Sequence, residues 1–271
     1  MKSRPSRHNR RCKDKHLCLL TTSNGGGFFQ NYRCGGDNHL KWDDTVHYRQ
    51  RCCHQPDWEK CWLWPRYISQ VSGLAISGGR VLSDDHMREW KETLLSSKPD
   101  LVFMFLGGND SEVLFQGLEA VVSLEVSQIP ALVRGYRQGG FLPAFTSLLE
   151  EGVELLSSLG QERVDSLVGR FVSRLLSFRG VAGGLVRFTV SSMPFRYEDS
   201  LELLLLKCYF NRFLKKMLES HSRYEYLEVN GIFDVGDECF RGLLCPNSST
   251  DFVHYNKGTM RRVVSLYHTH C

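Results

Sequence analysis

LVFMFLGGNDS, which runs from Leu101 to Ser111, is the most informative stretch of this 271-residue sequence. Six consecutive apolar residues lead into two glycines, an asparagine and an aspartate. A short apolar run that is rich in Val, Phe and Leu and closed by glycines is typical of a strand buried on both faces of a parallel sheet. Because ligands in such sheets bind at the carboxyl ends of the strands, we expect a functional site at residues 107–110, called here the strand-end turn.

The rest of the chain alternates between apolar runs of this kind and segments with helical periodicity. We predict four further strands, at residues 17–22, 67–76, 184–192 and 224–229. Helices are predicted at residues 84–97, 142–158, 161–178, 198–220 and 256–267, with a loop at residues 230–250. Strands that alternate with helices form parallel sheets that are covered by helices on both faces. The sequence therefore predicts a single α/β domain with a five-stranded parallel sheet.

The composition is that of an ordinary soluble protein, with 42% hydrophobic and 24% charged residues. No run approaches the roughly 18 to 20 apolar residues that span a bilayer, so we predict no membrane span. The amino terminus lacks the apolar core of a secretory signal, and we therefore expect an intracellular protein, cytoplasmic or nuclear. In a reducing compartment the ten cysteines are expected to be free thiols.

The basic charge of the chain is concentrated at its amino terminus. Residues 1–16 hold seven Lys and Arg against one Asp, a local charge of +6, whereas the whole chain carries +4. We predict a basic disordered tail at residues 1–16 and one folded domain at residues 17–271. The tail is interpreted either as a solvated arm or as a targeting or nucleic-acid contact. No basic stripe interleaved with aromatic residues occurs elsewhere, so nucleic-acid binding is predicted through the tail alone.

Residues 34–64 are rich in Cys, His and Trp, and they include Cys52, Cys53, His54 and Cys61 as candidate metal ligands. Zinc sites usually have paired Cys or His ligands two to five residues apart, and this segment has no such pairing. We therefore predict neither a metal nor a cofactor. The role of the segment is left open.

A second polar constellation precedes the last predicted helix. Asp251 lies three residues before His254, in a turn that leads into this helix. An aspartate at this spacing can accept a hydrogen bond from one ring nitrogen of the histidine and leave the other free as a base. Alone, the pattern is more typical of a surface pair. It becomes more specific when it follows the last strand of a sheet that also carries the strand-end turn.

Taken together, these motifs make the sequence resemble the SGNH hydrolases, also called GDSL-type esterases. Gly-Gly-Asn-Asp at residues 107–110 matches the G-x-N-D block of that family, and DFVHYNKG at residues 251–258 matches its D-x-V-H-x-N-x-x-G block. Ser-Gly-Gly at residues 77–79, called here the glycine block, and SSMPFR at residues 191–196 resemble two further segments. The resemblance implies a flavodoxin-like, three-layer α/β/α fold and hydrolysis of acyl esters at the strand ends.

The resemblance also implies a role for each matching residue. His254 would be the general base, Asp251 its orienting partner and Ser23 the nucleophile. The side-chain amide of Asn109 and the backbone N–H groups of Gly78 and Ser23 would form the oxyanion hole. Such fixed donors stabilise the negative charge that a tetrahedral intermediate places on the former carbonyl oxygen.

The segment after the first predicted strand, called here the first block, departs from the family pattern. The family has Gly-Asp-Ser after its first strand, whereas this chain has Thr21-Thr22-Ser23-Asn24. The resemblance and this departure together lead to two alternative functional hypotheses. One is a serine ester hydrolase that acts on a small acyl or acetyl ester. The other is a catalytically inactive SGNH-like binding domain, of the kind found in mobile-element proteins, with nucleic-acid contact through the basic tail. The oligomeric state is left open.

Two further side chains near the strand ends have predicted roles. Arg196 could hold an anionic acyl or leaving group, and the other interpretation is a salt bridge with Glu198 or Asp199. Asp110 is expected to brace the strand-end turn by hydrogen bonds, while Asn109 faces the substrate.

Overall fold

The computed structural model describes residues 15–22, 48–50, 68–116, 161–196, 199–230 and 257–270. The strands in these ranges are β1 (Lys15–Thr22), β2 (Tyr48–Gln50), β3 (Ile68–Ile76), β4 (Leu101–Phe105), β5 (Arg187–Ser191) and β6 (Tyr224–Leu227). The helices are α1 (Asp84–Ser97), α2 (Ser111–Leu114), α3 (Gln161–Leu176), α4 (Phe178–Ala182), α5 (Leu201–Glu219) and α6 (Lys257–His270). The predicted helix at residues 142–158 and nearly all of the predicted loop at 230–250 lie outside the described residues.

The strands form one sheet in the order β2-β3-β1-β4-β5-β6. All neighbours are parallel except β2, which runs antiparallel to β3 at the edge. The five predicted strands are therefore all present, and in chain order they lie 2-1-3-4-5, the flavodoxin-like arrangement. The short edge strand β2 was not predicted, because Tyr-Arg-Gln has no apolar run to mark it.

The central strands are buried along almost their whole length. Residues 17–20 of β1 and residues 102–105 of β4 are all buried, and both strands have a parallel neighbour on each side. A strand that is covered on both faces needs an unbroken apolar run, which is what these segments provide. Each fully buried large apolar side chain contributes about 1.5–3 kcal/mol relative to an exposed one. The core is thus centred on the two strands that lead to the predicted site.

Helices cover both faces of the sheet. On one face, the ring of Phe103 lies 5.0 Å from the ring of Tyr267 in α6. Successive residues of a strand point to opposite faces, so the neighbouring Val102 points away from α6. Val102 pairs with Cys18 of β1, whose thiol lies close to Ser97 in α1. Because α1 and α6 lie on opposite faces, the domain has the predicted three layers.

The boundaries of several elements differ by a few residues from the prediction, and two of these differences have a visible cause. β1 begins at Lys15, two residues before the predicted start of the domain, and both Lys15 Nζ and the backbone N–H of His16 contact the Asp100 carboxylate, at 3.3 and 3.0 Å. Helix α5 begins at Leu201, since the Ser200 hydroxyl caps it by accepting a hydrogen bond from a backbone N–H of the first turn.

No helix within the described ranges combines the length and the apolar composition that a membrane crossing requires.

Gly73 of β3 allows a close approach between β3 and β1. A Cβ atom at this position would lie 2.1 Å from the backbone oxygen of Leu19. We predict that Gly73→Ala lowers the free energy of unfolding by about 3 kcal/mol or more, because the clash is with backbone and cannot be relieved by a rotamer change. Gly169→Ala in α3 is the matched control, since no atom lies within 4 Å of its Cβ, and it should be neutral or stabilising by up to about 1 kcal/mol. Urea unfolding of both variants measures the difference, and equal stabilities would contradict the prediction.

Candidate active site

The carboxyl ends of three neighbouring strands meet at one edge of the sheet. Thr22, the last residue of β1, pairs with Ile76, the last residue of β3. Thr21 pairs with Phe105, the last residue of β4, and its hydroxyl donates to the Phe105 carbonyl at 3.2 Å. Because the strands are parallel, the segments that follow them lie side by side. The glycine block follows β3 and the strand-end turn follows β4, so both segments lie at the predicted edge.

The glycine block forms a tight turn. The backbone N–H of Gly79 donates to the Ile76 carbonyl at 3.0 Å, and Gly78 between them has a φ of +63°, which favours glycine. A Cβ at Gly79 would approach the Ile76 carbonyl to 2.9 Å and the Trp90 ring to 3.0 Å, so this position has no room for a side chain. Gly78 is exposed, and its backbone N–H makes no hydrogen bond within the described residues. This N–H is therefore available as a donor.

Asn109 links the strand-end turn to the glycine block. Its side-chain Nδ2 donates to the Gly79 carbonyl at 3.2 Å, and its Oδ1 accepts from the Arg196 guanidinium at 2.5 Å. An amide Nδ2 carries two hydrogens, and the second one has no partner within the described residues. The structure thus brings Asn109 and Gly78, the two predicted oxyanion donors that it describes, into neighbouring segments with donor capacity to spare.

Asp110 braces the site from beneath. Its carboxylate is completely buried and accepts hydrogen bonds from the backbone N–H groups of Val81 and Leu82, at 3.0 and 2.9 Å. Its own backbone N–H donates to the Gly107 carbonyl at 3.0 Å and closes the turn. Burial raises the pKa of the carboxyl from 3.8 to about 6, against the opposing effect of the two N–H donors. This is the bracing role that the sequence predicted.

A third element holds the segment after the glycine block in place. Arg174 in α3 donates from Nε to the Val81 carbonyl at 2.6 Å and from its guanidinium to Asp84 at 2.7 Å. With Asp110 on its N–H and Arg174 on its carbonyl, Val81 has both backbone groups satisfied. The residues that follow β3 are therefore fixed by side chains from two other parts of the chain.

Arg196 is placed beside Asn109, and its guanidinium forms an ion pair that was not predicted. The guanidinium contacts Glu112 at 3.3 Å, whereas Asp199 accepts a hydrogen bond from the Arg196 backbone N–H at 2.7 Å. Glu198, the other predicted partner, lies outside the described residues. Glu112 also pairs with Arg80 at 3.4 Å, so one carboxylate bridges two arginines at the rim of the site. The sequence analysis considered only acidic residues near Arg196 in sequence and therefore did not identify Glu112, which is distant in sequence.

Lys207 supports the segment that carries Arg196, and the sequence analysis did not identify it. Its side chain is fully buried, and Nζ donates to both oxygens of Asp199, at 2.8 and 2.6 Å, and to the Pro194 carbonyl at 3.1 Å. Burial lowers the pKa of Lys207, while the Asp199 carboxylate acts in the opposite direction. The signal in the sequence was a single lysine inside the apolar run LELLLLKCYF, where an unpaired charge would be strongly unfavourable.

Two asparagines complete this support. Asn211 accepts from the Met193 backbone N–H at 2.6 Å and donates to the Met193 carbonyl at 3.1 Å. Asn230 accepts from the Phe195 backbone N–H at 3.0 Å and donates to the Met193 carbonyl and to the Ser192 hydroxyl, at 3.0 and 3.2 Å. Buried backbone outside regular structure needs such partners. The segment between β5 and Arg196 is therefore held in one conformation.

The remaining predicted site residues, Ser23, Asp251 and His254, lie outside the described residues, and the triad stays a prediction. The same holds for the candidate ligands between residues 51 and 61. Within the described ranges, no group of three or more His, Cys, Asp or Glu side chains is placed to hold a metal ion.

The raised pKa of Asp110 predicts a specific pH dependence of stability. Because the folded-state pKa of about 6 exceeds the ordinary 3.8, the folded protein binds this proton more tightly. The contribution of Asp110 to the free energy of unfolding therefore rises as the pH falls through about 6 and is lost as the pH rises again. Between pH 7 and pH 5 we expect wild type to gain about 1 kcal/mol relative to Asp110→Asn, in which this titration is absent. Urea unfolding at both values measures the difference, and a constant or opposite difference would refute the prediction.

Comparison with solved structures identifies proteins of the same architecture. A lipase, Lip_vut3, from a goat rumen metagenome matches with a TM-score of 0.50 at 14% identity, covering 94% of this chain and 96% of that chain. A catalytic mutant of Axe2, an acetylxylan esterase from Geobacillus stearothermophilus, matches with a TM-score of 0.50 at 13% identity, covering 94% and 93%. No protein-family model matches the sequence, and a search of curated proteins finds no significant match.

What these proteins share with this chain, over nearly its whole length, is the fold. In this chain that fold has the strand order β2-β3-β1-β4-β5-β6, with the glycine block and the strand-end turn at the carboxyl edge of the sheet. The chain therefore has the three-layer α/β/α fold of the SGNH hydrolases, as its sequence motifs predicted.

Proposed function

We propose that this protein is a serine ester hydrolase that cleaves a small acyl or acetyl ester. One observation carries the proposal: the backbone N–H of Gly78 and the side-chain amide of Asn109 lie on adjoining segments at the carboxyl edge of the sheet, and each keeps a hydrogen that no described residue accepts. Paired N–H donors of this kind suit an oxygen that gains negative charge during a reaction. Their position next to the end of β1, after which Ser23 follows, supports acyl transfer as the chemistry.

In the proposed mechanism, Ser23 is the nucleophile. Its hydroxyl oxygen attacks the ester carbonyl carbon, while His254 accepts the hydroxyl proton and Asp251 stabilises the resulting imidazolium. Ser23 directly follows Thr22, which ends the strand between β3 and β4. A nucleophile that leaves β1 at this point starts from a position between the glycine block and the strand-end turn.

The oxyanion donors act on the carbonyl oxygen of the substrate. As the new carbon–oxygen bond forms, the former carbonyl oxygen becomes negative and accepts hydrogen bonds from Gly78, from Asn109 and from the Ser23 backbone. The bond to the alcohol then breaks, and His254 returns its proton to the leaving oxygen. Water, deprotonated by the same histidine, hydrolyses the acyl-enzyme and regenerates the serine.

The acetylxylan ester that gives Axe2 its name and the lipid ester of a lipase are both acyl esters, which supports the reaction class. The alternative function, an inactive binding domain, is favoured by the altered first block. Without the family's Gly and Asp, the turn after β1 has lost a residue that permits a tight bend and a side chain that braces it. The nucleophile is therefore the part of the proposal that most needs a test.

Substitution of Ser23 tests the proposal directly. We expect wild type to hydrolyse p-nitrophenyl acetate and to be labelled covalently by a fluorophosphonate probe. Ser23→Ala should abolish labelling and lower kcat/KM by about 10³-fold or more, because the proposed mechanism forms the acyl-enzyme on the Ser23 hydroxyl. Ser173→Ala is the control, since this exposed hydroxyl on α3 contacts only the Gly169 carbonyl within the described residues. If wild type shows neither activity, or if Ser23→Ala keeps both, the binding-domain alternative is favoured.

Substitution of Asn109 tests the oxyanion donor separately. Asn109→Ala should lower kcat for p-nitrophenyl acetate by about 10²–10³-fold with little change in KM, because the lost hydrogen bond strengthens in the transition state. Steady-state kinetics measure both constants, and circular dichroism checks the fold. A rise in KM with kcat retained would show that Asn109 serves substrate binding instead.

A further inference from the structure

Arg196 makes the contact that determines how Asn109 is presented to the site. Its guanidinium donates to Asn109 Oδ1 at 2.5 Å from one nitrogen and contacts Glu112 at 3.3 Å from another. The side chain is 11% exposed, so this contact is largely shielded from water. A charge-assisted hydrogen bond in such a place is stronger than one between neutral groups.

The contact with Arg196 permits one orientation of the Asn109 amide. A guanidinium has donors only, so the amide must turn its oxygen toward Arg196 and its nitrogen away. The Gly79 carbonyl, which can only accept, lies 3.2 Å from Nδ2 and requires the same orientation. In the reversed orientation, the amide NH₂ group would face the guanidinium donors of Arg196, and the amide oxygen would face the Gly79 carbonyl oxygen. The two partners therefore fix the direction in which the remaining N–H is offered.

Arg196 is itself held from two sides. Gly108 leaves space for the guanidinium, because a Cβ at this position would lie 3.3 Å from the nitrogen that contacts Asn109. The backbone N–H of Arg196 donates to Asp199, which is paired with the buried Lys207. The backbone of Arg196 is thus tied to Asp199, while its guanidinium is occupied by Asn109 and Glu112.

We propose that Arg196 is a positioning residue of the oxyanion hole, which holds and polarises the side-chain amide of Asn109. The inference deepens the proposed ester hydrolysis and rests on it. A positive charge at Oδ1 draws electrons from the amide and makes the N–H groups at Nδ2 stronger donors. The guanidinium acts through Asn109 and has no need to touch the substrate. This differs from the sequence-based interpretation of Arg196 as a ligand for an anionic group.

The two roles of Arg196 predict different kinetics. A positioning residue affects every ester through kcat, whereas a ligand for an anionic acyl group affects KM for anionic esters alone. We expect Arg196→Ala to lower kcat about 10–100-fold for p-nitrophenyl acetate and equally for p-nitrophenyl hemisuccinate, with KM within about threefold of wild type. Arg196→Lys keeps the charge but loses the planar fork, and its kcat should be intermediate. Added guanidinium should partly restore Arg196→Ala.

Arg80→Ala is the matched control, because Arg80 pairs with the same Glu112 carboxylate but makes no contact with Asn109. Its kcat should remain within about threefold of wild type. A rise in KM for the hemisuccinate alone in Arg196→Ala would overturn the positioning role in favour of substrate binding. Unchanged kcat for both esters in an active protein would overturn it as well.

A second measurement does not depend on turnover. In protein labelled with ¹⁵N-asparagine, the side-chain amide signals of Asn109 are identified by their absence in Asn109→Ala. We expect them to shift in Arg196→Ala and to stay in place in Arg80→Ala. Unshifted signals in Arg196→Ala would overturn the inference. If wild type hydrolyses no ester, the proposed function fails, and the amide signals still decide whether Arg196 sets the state of Asn109.

Discussion

The buried carboxylate of Asp110 joins the two segments on which the candidate site depends. It accepts the backbone N–H groups of Val81 and Leu82, which follow the glycine block, while its own N–H closes the strand-end turn onto Gly107. One residue thereby ties the end of β3 to the end of β4 across the intervening β1. Burial of the carboxylate is unfavourable, as its raised pKa indicates. The connection nevertheless satisfies a Val81 N–H that would otherwise be buried without an acceptor, and this offsets part of the cost.

A buried ion pair supports the segment that carries Arg196, on the opposite side of Asn109 from the glycine block. The pair of Lys207 and Asp199 is almost inaccessible to water. Such a pair is seldom more stable than well-packed apolar residues of the same volume, because both ions lose their hydration. An apolar pair, however, could not accept the backbone N–H of Arg196 or donate to the Pro194 carbonyl. The pair is best understood as fixing the conformation of this segment rather than as adding stability.

The sequence predicted the parts of the fold that depend on local patterns. The apolar runs that form β1 and β4 were recognised because a buried strand requires apolar residues. The turns that follow β3 and β4 were recognised because their backbone geometry requires glycine. The edge strand β2 leaves no such mark. The partner of the Arg196 guanidinium was predicted among neighbours in sequence, but Glu112 lies 84 positions away. Which charged residues meet across a fold depends on the packing of helices and loops, and neither period nor spacing encodes it.

The described scaffold orients the side chain of Asn109, a predicted oxyanion donor, without help from the predicted nucleophile. Asn109 is oriented by Gly79 and Arg196, and neither contact involves the segment after β1. The departure of the first block from the family pattern therefore bears on Ser23, including its backbone N–H, and leaves these two contacts of Asn109 as they are. In serine hydrolases the donors and the binding site alone retain part of the catalysis when the nucleophile is removed, which shows that the two halves work separately. Both hypotheses for this protein rely on the same oriented Asn109 amide, and they differ in whether a competent hydroxyl stands opposite it.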